Sequence, residues 1–367
     1  MLSDFAASGK KHYGAGACAS RRTMSTPDRA RRRIVDRMLR SSEPSIRWRV
    51  RTRVLRDDRR SSAVRRLEEE VRRSHRARSL LTRRSERNRA GTARGLYHYW
   101  QGSHWALASL ADMGYPRGDR TVEPLLDQCL AYWTRPMYER LVGEDESDGG
   151  NASVGVRVIR GLPRRCASIQ GSALLYATRL GVLDERVDHL AALIRTWQWP
   201  DGGWNCDRRP AAHVSSFMET LLTMRGLQAY SDASGSAPAG QAAERAAEVF
   251  LERKLFRRRS DGAVMRPDFL RLHYPVYWHY DVLAGLKGMA EVGAVRDLRC
   301  REALDWLESR ELPDGGWPAD RRYYRVSRAF RGSSEFVGWG AAGRSRLNEW
   351  VSTDALAVLV AADRFVP

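Results

Sequence analysis

The chain has 367 residues, 43% of them hydrophobic, with 12 tryptophans and 29% charged residues. That composition supplies a sizeable core and excludes global disorder. There is no run of about 18 apolar residues, which excludes a membrane-spanning helix. The formal net charge of +19 invites a nucleic-acid reading, but its distribution argues against one. Residues 1–94 hold 28 Lys/Arg and 10 Asp/Glu, whereas the remaining 273 hold 35 and 34.

Residues 1–26 read as a disordered basic tail with no continuous apolar stretch of the signal-peptide kind. Five cysteines at irregular spacing do not form a disulfide framework and point to a reducing cytoplasm. Helices follow over 27–40, 44–55 and 63–81, with arginines at helical spacing (Arg47 and Arg51; Arg65, Arg66, Arg72 and Arg73) that read as a solvated face. Such a face could also hold an anionic membrane surface. Nucleic acid is disfavoured, because no zinc-finger, RNA-binding or helix-turn-helix signature accompanies the charge.

After a polar loop over 82–96 comes YHYWQGSHWALASLADMGY. Further helices are predicted over 121–133, 166–180, 185–197, 215–230, 241–255, 277–292, 297–310 and 347–363, with a long loop over 134–163. Every second helix is small and apolar all round (ALASLA, GSALLYA, LLTMRGL, VLAGLKGMA, ALAVLVAA), and its neighbours carry one apolar stripe. A helix apolar on every face is buried, and one with a single stripe lies outside. No stretch reads as a convincing strand. Twelve helices in six αα-hairpins predict an all-α fold, an α/α toroid over 27–367.

The repeat is marked by glycine turns. Asp148-Gly149-Gly150, Asp201-Gly202-Gly203, Asp261-Gly262 and Asp314-Gly315-Gly316 begin 53, 60 and 53 residues apart. Gln198, Gly202 and Trp204 spell one frame; Glu311, Gly315 and Trp317 repeat it. Ser216 with Glu219 has the spacing of a capping box. WQWPDGGW and WLESRELPDGGW resemble the QW and glycine-turn repeats of the squalene cyclase and prenyltransferase β-subunit superfamily. That resemblance covers roughly 95–367 and implies a six-hairpin toroid. It also implies a transferase or isomerase acting on an isoprenoid, a small apolar or diphosphate-bearing substrate.

The acidic DxDD motif by which squalene-type cyclases protonate their substrate is absent; Asp145-Glu146-Ser147-Asp148 is the nearest approach. The prenyltransferase zinc triad is not reproduced either. The chemistry is therefore sought where polar groups recur at the starts of apolar helices, since an ionisable group there is costly unless paired or used. His104, Glu219, His279 and Asp281 are the candidate acid/base groups. Trp105, Gln170, Trp204, Tyr280, Glu349 and Trp350 are the candidate lining of a substrate pocket opening at that end. Cys166, Cys206 and His213 are candidate zinc ligands. Two other readings stay open: a metal-free acid/base enzyme on a glycan or peptide, and a non-catalytic binding toroid.

Overall fold

A computed structural model describes residues 26–82, 93–144, 155–329 and 332–367. Residues 1–25 of the basic tail, the turn at Asp148 and the acidic run 145–148 fall outside them. The described chain is built of helical hairpins. Helices α1 (Thr26–Leu39), α2 (Pro44–Arg49), α3 (Ser62–Arg73), α4 (His75–Thr82), α5 (Ala93–Leu96), α6 (Ser103–Met113) and α7 (Glu123–Trp133) form the first half. A π-helical turn, Val50–Val54, prolongs α2. The second half comprises α8 (Ala167–Leu180), α9 (Glu185–Thr196), α10 (Phe217–Ser234), α11 (Ala237–Leu251), α12 (Val282–Glu291), α13 (Arg301–Ser309) and α14 (Glu349–Ala361).

The ring closes. The inner elements touch in the order α2, α6, α8, α10, α12, α14, and α14 returns to α2 and its π-turn. The striped helices α1, α3, α7, α9, α11 and α13 stand outside. In α9, for example, Val187, Leu190, Ala191 and Ile194 face inward. Small residues permit the closest inner contact. A Cβ on Gly171 of α8 would lie 2.4 Å from the Thr223 Cα, and one on Gly226 of α10 would lie 2.3 Å from the Gly171 carbonyl oxygen.

The turn motif explains how successive hairpins lock. The Trp204 indole donates to the Ile194 carbonyl (3.0 Å), and the Trp317 indole donates to the Leu307 carbonyl (2.7 Å). Gly202 and Gly315 have φ of 96° and 89°, the left-handed region that glycine enters without strain. Each turn also leans on the next outer helix. Gly202 abuts the Arg245 carbonyl of α11, and Gly315 abuts Ala30 and Ile34 of α1. Gln198 donates to the carbonyls of Gly202 (2.6 Å) and Ala242 (2.8 Å). Glu311, in its place, accepts from Arg31 of α1 (2.9 and 3.0 Å). The last turn thus grips the first helix.

Two expectations need correction. Within the span predicted as loop 134–163, β1 (Leu141–Val142) pairs parallel with β2 (Val156–Ile159), which pairs antiparallel with β3 (Leu162–Arg164). Two further short strands, β4 (Arg325–Val326) and β5 (Ser334–Glu335), pair in parallel. These strands are two to four residues long, too short for side-chain alternation to show in the sequence. Nor does Ser216 build a capping box: its side chain makes no cap hydrogen bond. No helix among the described residues is long and apolar enough to cross a membrane.

Gly171→Ala should lower unfolding stability by about 1–3 kcal/mol through backbone collision. Gly143→Ala, where a Cβ meets nothing within 4 Å, should be silent; urea unfolding of both variants reads the difference.

Candidate functional site

The helix-start residues singled out in the sequence do not share one pocket. His104 is fully buried, packed on Tyr97, Trp105, Trp133 and Tyr176, with neither ring nitrogen hydrogen-bonded among the described residues. Burial pushes it down to about 3, so it is neutral at ordinary pH. His279 stacks between Trp278 and Tyr323, and burial together with His273 pushes it to about 3 as well. Asp281 caps α12 by accepting from the Ala284 amide (2.7 Å) and also accepts from the His273 amide (3.0 Å). Tyr280 donates to the Leu255 carbonyl (2.7 Å) within an aromatic cluster of Phe217, Phe250 and Phe269. Trp350 is buried against Tyr274, and Glu349 accepts from the Ser41 hydroxyl (3.0 Å). Gln170 is buried with no amide partner among the described residues.

Cys166, Cys206 and Glu219 do converge, with one donor atom from each lying within 4.8 Å of the others. The Cys206 thiol donates to Glu219 Oε1 (3.2 Å), and the Ser168 amide donates to Oε2 (3.0 Å). Hydrogen bonding between the two cysteine side chains holds the Cys166 thiol below its ordinary range, while Cys206 itself is pushed up. His213 is exposed in the loop, 2.8 Å from the Ala211 carbonyl, and is not one of the three.

The lumen of the ring holds a second constellation, which the sequence reading passed over. Each of the six inner elements sends charge into it. Arg49 and Arg53 come from α2 and its π-turn, Asp112 from α6, Arg179 from α8, Arg225 from α10, Lys287 and Glu291 from α12, and Asp354 from α14. Lys287 Nζ bridges Asp112 (3.3 Å) and Asp354 (3.0 Å). Arg49 pairs with Asp354 and, at 3.3 Å, with Asp112. Arg53 reaches the same two carboxylates at 3.0 and 3.3 Å. Glu291 is held by Arg225 (2.6 Å) and Arg179 (2.8 Å), and the Tyr274 hydroxyl donates to Asp112 (2.7 Å). Five cations face three carboxylates, a surplus of two positive charges.

Burial alone would raise the Asp112 carboxyl, but Lys287, Arg49, Arg53 and Arg179 outweigh it and hold it well below the usual carboxylate range. Asp112 and Glu291 close the C-terminal turns of α6 and α12, the end where the helix dipole disfavours a carboxylate, so they depend on these cations. At Lys287 burial prevails instead. Burial lowers it from 10.5 to about 8 against the pull of Asp112 and Asp354.

Besides a cavity of about 350 Å³ beside Arg179, Arg225 and Glu291, two more flank this belt. One of about 250 Å³ runs toward the C-terminal ends of the inner helices, bounded by Trp48, Gly114, Tyr115, Ala290, Ala357 and Ala361. Arg53, Arg56, Arg59, Arg117, Arg179 and Lys287 face it, against Glu68, Glu291 and Asp354. The other, about 80 Å³, lies between the belt and an aromatic cover formed by Trp105, Tyr176, Tyr274 and Tyr277. Tyr277 stacks on Trp100 at 4.0 Å. The lumen is therefore covered at the inner-helix N-termini, contrary to the expected opening there. Of the residues expected to line a pocket, Trp105 alone borders these two cavities.

A signal for the belt was present in the sequence. One charge, or two in GLKGMAE, interrupts nearly apolar helices in ASLADM, YATRL, LTMRGL, GLKGMAE and STDALA. They sit mid-helix or later, away from the helix starts.

No protein-family model matches the chain, and no curated protein matches it by sequence. Among solved structures, unsaturated glucuronyl hydrolase from Bacillus sp. GL1, described as responsible for the degradation of glycosaminoglycan, aligns with a TM-score of 0.41 at 15% identity, covering 86% of this chain and 84% of that one. A UGL variant recorded with dGlcA-Glc-Rha-Glc aligns at 0.42 and 14%, with the same coverage. Scores this low carry no argument about substrate or chemistry. The fold is an α/α toroid by its own helix order and closure, and no family model supports the squalene cyclase and prenyltransferase resemblance.

Between about 8 and 10.5 the folded Lys287 has lost its proton while the unfolded chain keeps it. The unfolded state then binds more protons, so stability rises with pH through that window. Wild type should therefore gain up to about 3 kcal/mol relative to Lys287→Met from pH 8 to pH 10.5. Thermal unfolding of both proteins across that range measures it, and parallel curves would contradict the assignment.

Proposed function

We propose that the lumen binds a small oxyanionic molecule of the acidic-sugar kind and performs acid/base chemistry on it. The observation that carries this reading is the surplus of cations in the lumen, five against three carboxylates, with Arg53, Arg179 and Lys287 bordering the cavity of about 250 Å³ and Arg56, Arg59 and Arg117 at its rim. A cation-lined, largely desolvated pocket favours anions, and a guanidinium matches a carboxylate or phosphate in bidentate fashion. Arg53, Arg179 and the rim arginines would hold the anionic group. Trp105 and Tyr277 offer aromatic walls to a ring in the smaller cavity. Lys287, poised near neutral pH between Asp112 and Asp354, is the group that would take or give a proton.

The same belt weighs against a long isoprenoid. A hydrocarbon threaded through this lumen would cover eight charged side chains and remove their remaining hydration, which is costly. The acid/base alternative on a glycan is therefore the better supported of the readings the sequence left open.

Calorimetric titration of the whole chain with a uronic-acid disaccharide, its neutral counterpart and geranyl diphosphate tests this. Binding of the acidic sugar alone is expected, weakened about tenfold or more by Arg179→Met. Lys287→Met should retain that binding and lose turnover by a factor of about 100 or more. Equal binding of the neutral sugar would contradict the reading, and binding of geranyl diphosphate alone would restore the isoprenoid one.

A further inference from the structure

We infer that Cys166, Cys206 and Glu219 form a zinc site at the N-terminal end of the inner helices, separate from the lumen and independent of the function proposed for it. The three come from different segments that the fold fixes in place. Cys166 is the residue preceding α8, Cys206 follows the glycine turn, and Glu219 lies in the first turn of α10. Their donor atoms already lie within 4.8 Å of one another, with Cys206 Sγ and Glu219 Oε1 at 3.2 Å. Tetrahedral zinc holds thiolate at about 2.3 Å and carboxylate at about 2.0–2.2 Å, so its ligand atoms stand roughly 3.3–3.8 Å apart. A contraction of an ångström or less brings this set into range. Two thiolates and one carboxylate suit zinc among the common divalent ions, and both cysteines are only partly buried, which leaves a fourth position for water or a ligand.

The repeat supplies an independent comparison. In the first turn the Trp204 amide donates to Thr220 Oγ1 and the Ser216 amide to the Trp204 carbonyl. In the second, the Trp317 amide donates to Ser352 Oγ and the Asn348 amide to the Trp317 carbonyl. Superposing these bonds sets Cys206 against Ala319 and Glu219 against Val351. Both of those are buried and apolar. The fold thus builds this frame without sulfur or carboxylate, and the donors are an addition peculiar to one turn. They are also pre-oriented. Glu219 Oε2 is fixed by the Ser168 amide (3.0 Å), the outer hydrogen bond that aims Oε1 at the thiols. Cys166 makes no side-chain cap hydrogen bond, so helix capping does not occupy it. His213 stands outside the set.

The test is zinc titration of the full chain, reduced and chelator-treated, against a competing dye, with Co²⁺ as a spectroscopic substitute. About one equivalent of zinc is expected, and Co²⁺ should give a thiolate charge-transfer band with tetrahedral ligand-field absorption. Cys166→Ser and Cys206→Ser should each weaken zinc about 100-fold or more, Glu219→Gln by about tenfold or more, and His213→Ala not at all. The double variant Cys206→Ala/Glu219→Val copies the sister turn, so it should fold like wild type and bind no zinc. Absence of zinc binding by the reduced wild type, or zinc retained by the double variant, would overturn the proposal.

Discussion

Closing six helices into a ring leaves a lumen, and the charges placed there must satisfy one another. Eight ionisable side chains from all six inner elements meet in this space, and the pairing of Asp112 and Asp354 with Arg49, Arg53 and Lys287 joins four of those elements directly. Glu291 with Arg179 and Arg225 ties in the other two. Removing one partner from such a set leaves an uncompensated buried charge, a loss of several kcal/mol. Well-packed apolar residues of similar volume would often give equal or greater stability. Stability alone therefore does not account for the belt, and this is the ground for proposing an anion site in the lumen.

The two ends of the lumen have different characters. At the inner-helix N-termini, Trp100, Tyr274 and Tyr277 close the passage, and the sulfur–carboxylate cluster sits in the turn beside it. Toward the C-termini the cavity of about 250 Å³ is lined by six arginine and lysine side chains against three carboxylates. This inverts the plain expectation from helix dipoles, which would place anion binding at the N-termini. Here side-chain cations, set where the dipoles welcome them, carry the positive field.

The ring itself was legible in the sequence because its determinants are local. Gly202, Trp204, Gly315 and Trp317 announce the turns, and alternating helix character announces inner and outer layers. The meaning of Glu311 was not legible, since its partner Arg31 lies 280 residues away. The helix-start cluster was legible in part. Cys166 and Cys206 stood out as soft ligands and Glu219 as a carboxylate, but only the fold joins them and leaves His213 outside. The belt was missed for a physical reason. Arg49 and Arg53 face the lumen, whereas Arg47 and Arg51, on the same short helix and its π-turn, pair with Glu70 and Asp57 outside it. A sequence so rich in arginine gives no sign of which face is buried. Lys287, one of only four lysines in the chain, was the sharpest unread clue.

The most direct test of a lumenal oxyanion site is a crystal structure of the whole chain soaked with a uronic-acid disaccharide. A lumenal site places a carboxylate beside Arg53 and Arg179, with the sugar within reach of Lys287 Nζ. Density confined to the outer surface, with the belt's ion pairs unchanged and both cavities holding solvent alone, would contradict it.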